Sequence, residues 1–212
     1  MSTIVAQLWG CGPILPFVCA LWGMSPQSGN PARLPGIGES IVISEIKVTL
    51  LGAKRLSLEE YLQASRGQSA EWAGGGLRIV FLTENRPGAT LPPGLGEIRV
   101  LFGSQLYNPI TNAASSKPLS PGVMIRDSND FLSTSYGREL SGRAPVPRAG
   151  TVHGILDVFV RGGPVPAGTS GIVELEQGET HRPDSQGRLR QLDPGEMGST
   201  WTWFRFRLPS LD

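Results

Sequence analysis

Two histidines, His153 and His181, and two cysteines, Cys11 and Cys19, are all the imidazole and thiol this chain contains. Nucleophilic hydrolysis needs a histidine oriented by a partner beside an activated serine, and no G-x-S-x-G elbow occurs. His153 falls inside an extended apolar run and reads as a packed residue, while His181 falls in a polar loop. Both cysteines lie in the N-terminal apolar segment. The rest therefore has no internal disulfide, no thiolate nucleophile and no cysteine to join two histidines around blue copper. The histidines with Asp157 or Glu179 would make a three-ligand zinc set, but no motif spacing groups them. Asp127-Ser128-Asn129-Asp130 lacks the glycine and distal glutamate of an EF-hand loop and reads as an Asx turn. Gly74-Gly75-Gly76 precedes a strand pattern, whereas a phosphate cradle needs a helix there. No pair of carboxylates stands out for glycosidase chemistry. The expectation is a protein without catalytic residues, metal or cofactor.

The residues best suited to binding are aromatic and basic. In STWTWFRFRL, residues 199–208, strand alternation places Thr200, Thr202, Phe204, Phe206 and Leu208 on one face. Trp201, Trp203, Arg205 and Arg207 fall on the other. A guanidinium stacked on indole is worth ~0.5–1 kcal/mol at an exposed site, and Trp and Arg are enriched at interface hot spots. The competing reading is a cross-strand ladder covered by a neighbouring loop. Charge is sparse, at 17% of residues, and nearly balanced at +1. There is no basic stripe of the kind nucleic acid requires, so no nucleic-acid partner is expected. Lysine occurs only at 47, 54 and 117, and the arginine bias reads as that of a GC-rich genome rather than as phosphate sites.

Twenty-eight glycines and eighteen prolines, scattered among short apolar runs, suit an all-β domain with many turns. From Thr151 to Gln177 the chain reads as two strands joined by a Gly/Pro loop, a central hairpin needing a second layer on its apolar face. Its first strand has Val152, Gly154, Leu156, Val158 and Val160 on one face, and His153, Ile155, Asp157, Phe159 and Arg161 on the other. Further strands are expected at Ser40–Leu51, with a turn or bulge at Ser44-Glu45, and at 77–84, 97–103, 122–126 and 133–140. Ser57-Leu58-Glu59-Glu60 is a capping box that starts a short helix to about Ser65, with Leu58, Tyr61 and Leu62 on one side. Asp184–Gly187 is a tight turn in a polar stretch.

Residues 4–24 carry no charge and approach the length of a membrane-crossing helix. A cleaved signal would need a positive n-region, and no Lys or Arg precedes Arg33. Leu8-Trp9-Gly10-Cys11 is a loose echo of a lipobox. Trp9 and Trp22 could sit at headgroup level, while Gly10, Gly12, Pro13 and Pro16 ask for protein neighbours. An apolar arm packed on the protein itself is the bland alternative; a partner-packed anchor is the preferred reading. The expected organisation is an apolar membrane-associated or export segment at 1–24, a Pro/Gly linker at 25–38 and a β-sandwich domain at 39–212.

The runs GESIVISEIKVTLLGAKRL, LRIVFLTENRPGA and AGTVHGILDVFV resemble the immunoglobulin-like, telokin-like domains attached to bacterial lipoproteins and membrane proteins. Glu84-Asn85 ends one strand in that pattern, and Ala149–Phe159 matches a later one. The similarity spans about residues 38–177; the long 104–149 connection and the Trp/Arg strand depart from it. The resemblance implies an extracytoplasmic β-sandwich with an interaction or accessory role in a bacterial cell envelope; with the helix that starts at Ser57, the expected fold is an immunoglobulin-like antiparallel β-sandwich with one short connecting helix. Its expected role is that of a non-catalytic accessory subunit docking on a membrane-protein complex, through Trp9 and Trp22 of the arm and through Trp201, Trp203, Arg205 and Arg207. The alternative is a secreted module binding carbohydrate or another small ligand on its tryptophans.

Overall fold

A computed structural model describes residues 33–64, 74–109, 123–126, 134–140 and 147–211, with backbone alone at 64 and 123–126. The apolar segment with Trp9, Trp22, Cys11 and Cys19, most of the 104–119 connection and Asp127–Asp130 lie outside the described residues. The body is a mainly antiparallel β structure. Its strands are β1 (Ser40–Ile43), β2 (Ile46–Arg55), β3 (Gly75–Glu84), β4 (Gly94–Phe102), β5 (Gln105–Pro109), β6 (Val123–Arg126), β7 (His153–Gly162), β8 (Gly171–Gly178), β9 (His181–Pro183), β10 (Leu189–Gln191) and β11 (Thr202–Leu208). Among the described residues three short helices join them: α1 (Leu58–Ala64), α2 (Ser135–Leu140) and α3 (Pro194–Thr200). No helix among the described residues is long and apolar enough to cross a membrane.

One path, β1-β2-β3-β7-β5-β4-β8-β11, runs through the main sheet, with β6 also on β7; β9 and β10 form a separate hairpin. β5 joins the two layers, pairing with β4 at Val100–Phe102 and with β7 at Arg161 and Val160. The path rolls around a single core until its end strands flank the same side, nearly closing a barrel. Pro35 O accepts from Arg207 N at 2.8 Å, and Gly38 N donates to Leu50 O at 2.7 Å. Residues 35–38, expected as linker, are thus bonded to the sheet.

Period-2 alternation fills that core. Leu77, Ile79 and Phe81 of β3 and Leu156, Val158 and Val160 of β7 meet Ile98, Val100 and Phe102 of β4 and Phe204, Phe206 and Leu208 of β11. The Phe81 and Phe206 rings, from opposite layers, stand 5.9 Å apart. The expected break at Ser44-Glu45 is a two-residue hairpin turn, with φ of 49° and 67° and Ile43 opposite Ile46. Positive φ at both central residues is the requirement of a type I′ turn, here met without glycine. The capping box is also present: Ser57 N donates to Glu60 Oε2 (2.9 Å), and Glu60 N donates to Ser57 Oγ (3.1 Å). Of the three residues expected on one side of α1, Tyr61 is buried and Leu58 and Leu62 are exposed.

Two expectations are corrected. The strands at 153–162 and 171–178 exist but do not pair with each other. β7 lies between β3 on one edge and β5 and β6 on the other, whereas β8 lies between β4 and β11. Neighbours in sequence usually pair, but here the Gly/Pro loop carries the chain from one layer to the other. Residues 135–140 form a helix instead of a strand. Tyr136 and Leu140 stand one helical turn apart, and Thr134 Oγ1 accepts from Gly137 N at 2.9 Å as a cap.

That helix gives the outer face of the sheet its own cluster of Leu51, Val80, Leu82, Tyr136, Leu140 and Ile155. The register shift between Leu50 and Gly52 sets Gly52 beneath it, where a Cβ would lie 2.9 Å from Leu140 Cδ2. Asp157 is fully buried on this face and accepts both Arg78 Nε (2.8 Å) and Nη2 (2.7 Å). The Arg78 guanidinium in turn lies 4.5 Å from the Tyr136 ring centre and 5.3 Å from that of Phe159. Asp157→Ala takes the carboxylate from a guanidinium that little water reaches, and is expected to cost about 3–5 kcal/mol in urea denaturation. The double change Arg78→Met with Asp157→Leu is expected to recover most of that loss.

Candidate functional site

β11 alternates as its sequence requires. Phe204, Phe206 and Leu208 enter the core, and Trp203, Arg205 and Arg207 face outward. Its neighbours complete the outer surface in two rows. Arg99 of β4 and Arg205 of β11 flank Glu174 of β8, and Arg205 Nε donates to Glu174 Oε1 at 2.7 Å. Beside them Leu106, Leu101, Ile172 and Arg207 stand opposite one another across four strands. Leu106 is 49% exposed, Ile172 37% and Trp203 36%.

The expected stacking of arginine on indole occurs with a different arginine. Arg99 Cζ sits 4.6 Å from the Trp203 ring centre, and Glu97 holds the same guanidinium with bonds of 3.0 and 2.7 Å. Arg205 is engaged by Glu174, and Arg207 Nη2 donates to Ser170 Oγ at 3.3 Å. Alternate residues of EIRVLFG and GIVELEQ carried the signal for Glu97, Arg99, Leu101, Ile172 and Glu174. Only the pairing of β4 with β8 puts them beside Trp203.

Trp201 is set apart from that group. It follows α3, and its indole lies across β8 onto β4, over three glycines. A Cβ on Gly178 would come within 2.6 Å of Trp201 Cγ, one on Gly96 within 2.6 Å of Cζ3, and one on Gly94 within 3.5 Å of Cζ2. The absent side chains form its bed. Trp9 and Trp22 lie outside the described residues.

Comparison of the chain with protein-family models, curated proteins and solved structures finds no match. The telokin-like resemblance accordingly rests on the sequence patterns alone.

Several of the carboxylates are held by arginine. Among the described residues no three of His, Cys, Asp and Glu are placed to hold a metal ion. Glu179, like Asp157, is engaged by guanidinium: Arg86 Nε donates to its Oε1 at 2.7 Å, and Arg182 Nε and Nη2 donate to Oε2 at 3.1 and 2.6 Å. Burial pushes the Glu179 carboxyl up, but the two arginines outweigh it and the net direction is down. His181 Nδ1 contacts Thr180 Oγ1 at 3.0 Å. A cleft of about 360 Å3 opens beside Glu179, between the β1–β2 turn and the end of α3.

At the start of α3, Glu196 takes a fork of two 2.7 Å bonds from Arg190 and a 3.0 Å bond from Asp193 N. The Arg190 fork first, and then that amide, hold its carboxyl down from 4.5 to about 2. A depressed carboxylate stabilises the fold above its ordinary pKa and loses that contribution as pH falls through the folded value. The contact is therefore expected to be complete above pH 4.5 and to open toward pH 2, read as the NMR titration of the Glu196 carboxyl and the Asp193 amide. Arg190→Gln should move the midpoint upward. Gly178→Ala is expected to displace the Trp201 indole at a cost of ~1–3 kcal/mol, visible as a shift in tryptophan emission.

Proposed function

We propose that this chain is a non-catalytic accessory subunit that docks on a membrane-protein complex through the outer face of β4, β8 and β11. The observation that carries the reading is an apolar row, exposed Leu106 and Ile172 with half-buried Leu101 between them, which shares one face with exposed Trp203 across the intervening row of Arg99, Glu174 and Arg205. Exposed aromatic and aliphatic side chains interleaved with arginines have the composition of an interface anchor. Contiguous exposed apolar surface on a sheet face is otherwise a liability for solubility. The uncharged residues 4–24 support a tether on the extracytoplasmic side of a cell envelope, with Trp9 and Trp22 contributing to it. An immunoglobulin-like sandwich of the telokin-like kind is the family reading that goes with this role, supported by two layers of strands around one core.

A second reading, carbohydrate or small-ligand binding, is favoured by Trp201, whose indole rests on Gly94, Gly96 and Gly178. A ring supported from beneath is a preorganised stacking surface.

Two sets of substitutions in the full-length protein separate the readings. For docking, Trp203→Ala with Ile172→Asp is expected to abolish co-purification with a membrane complex from the native cells while leaving the folded spectrum intact. Deletion of residues 1–24 should release the protein from the membrane fraction. Unchanged fractionation and complex recovery in both would end the docking proposal. For the second reading, Trp201→Ala should remove retention on immobilised glycans, and retention that survives it would dismiss the stacking surface.

A further inference from the structure

The cleft beside Glu179 is independent of the docking face and has a chemistry of its own. Its walls include Ser44 and Glu45 of the β1–β2 turn, Arg86 just beyond β3, Glu179 and Arg182 beyond β8, and Thr200 at the end of α3. Glu179 is a fixed post. It is nearly buried, and its backbone N–H donates to Thr200 Oγ1 at 3.2 Å. The post orients two guanidiniums but satisfies them incompletely. Arg86 bonds it through Nε alone, and Arg182 through Nε and Nη2. Both terminal nitrogens of Arg86 and Nη1 of Arg182 thus have no acceptor among the described residues. The Arg86 backbone is fixed as well, donating its own N–H to Asn85 Oδ1 at 2.8 Å, while Asn85 Nδ2 donates to Leu91 O at 2.9 Å.

Two guanidiniums held by one carboxylate leave one positive charge that Glu179 does not match, offset only by Glu45 of the same lining, and a planar fork of free N–H donors. Such a fork matches the oxygen spacing of a carboxylate or phosphate. We propose that this cleft binds a small oxyanion through Arg86 and Arg182, with Glu179 as the positioning residue. Glu45 sets the affinity. It lines the same cleft with the opposite charge and holds a positive φ of 67°, a conformation suited to glycine. A glycine there would relieve backbone strain and remove the repelling carboxylate together.

The test is an NMR titration of the full-length protein with inorganic phosphate, and separately with acetate, at ionic strength held constant with sodium chloride. Saturable shifts of the Arg86 and Arg182 Nε–H signals and of the Ser44–Ile46 amides are expected with at least one probe. The phosphate and acetate arms show which oxyanion the fork prefers. Arg86→Gln is expected to weaken binding about tenfold or more, the worth of a charge-assisted contact. Glu45→Gly should tighten binding and leave the core methyl spectrum unchanged, so it decides the matter even where Arg86→Gln perturbs the fold. Shifts that grow linearly without saturation would overturn the proposal, as would shifts that match those in chloride alone or a Glu45→Gly variant that binds no tighter.

Discussion

β7 is buried on both faces, and that single constraint arranges the rest of the molecule. Leu156, Val158 and Val160 point into the barrel, while Ile155, Asp157 and Phe159 point outward and are buried as well. A strand of this kind needs a neighbour on each edge and a cover on each side. β3 supplies one edge along all ten residues, and β5 and β6 share the other. β4, β8 and β11 cover the inner side, and α2 covers the outer. With both edges taken, β8 has no place beside β7 and must enter the opposite layer, next to β4. The surface that carries Trp203 is a consequence of that displacement.

Much of the fold was legible because alternation is a local signal. β2, β3, β4, β7, β8 and β11 each repeat apolar residues at every second position, and the Ser57–Glu60 box and the Asp184–Gly187 turn are short motifs with local geometry. Pairing was not legible. Nothing in residues 163–170 distinguishes a loop that returns a strand to its neighbour from one that crosses between layers. The 133–140 stretch is too short for its period to separate strand from helix, and only the outer face of β3 and β7, needing Tyr136 and Leu140 as cover, decides it. The candidate site divides the same way. The outward positions of Trp203, Arg205 and Arg207 follow from β11 alone, whereas Arg99 becomes the partner of Trp203 through the register of two further strands.

Composition misled in one instructive respect. A glycine-rich chain reads as a chain of turns, and several of its glycines do occupy turns with positive φ. Others lie within strands and make room for rings. Tyr107 packs where a Gly162 side chain would be, Phe102 where one at Gly171 would be, and Trp201 covers Gly94, Gly96 and Gly178. Tyr107 and Phe102 fill the core in this way, whereas Trp201 lies on the outer side of the sheet. Sequence cannot separate this use of glycine from the turn use, because the partner ring lies one or two strands away.

The arginines bear on function more than their number suggests. Five are each matched to one carboxylate: Arg78 to Asp157, Arg99 to Glu97, Arg188 to Asp184, Arg190 to Glu196 and Arg205 to Glu174. On exposed surface such pairs contribute little to stability, but they fix where each guanidinium points and cancel its charge, so the outer face of β4, β8 and β11 presents shape and apolar area more than net potential. Glu179 departs from one-to-one matching, since it faces two arginines. A carboxylate shared in this way sits at the lower energy of the two protonation states only while ionised, which is why its carboxyl is held down despite burial. The charge left over lies at the rim of the barrel, beside the β1–β2 turn, which closes with positive φ at a serine and a glutamate. Packing alone would be served better there by Asn-Gly. A strained acidic residue lining the same cleft as an under-matched arginine pair is the combination on which the proposed oxyanion binding at that end of the barrel rests.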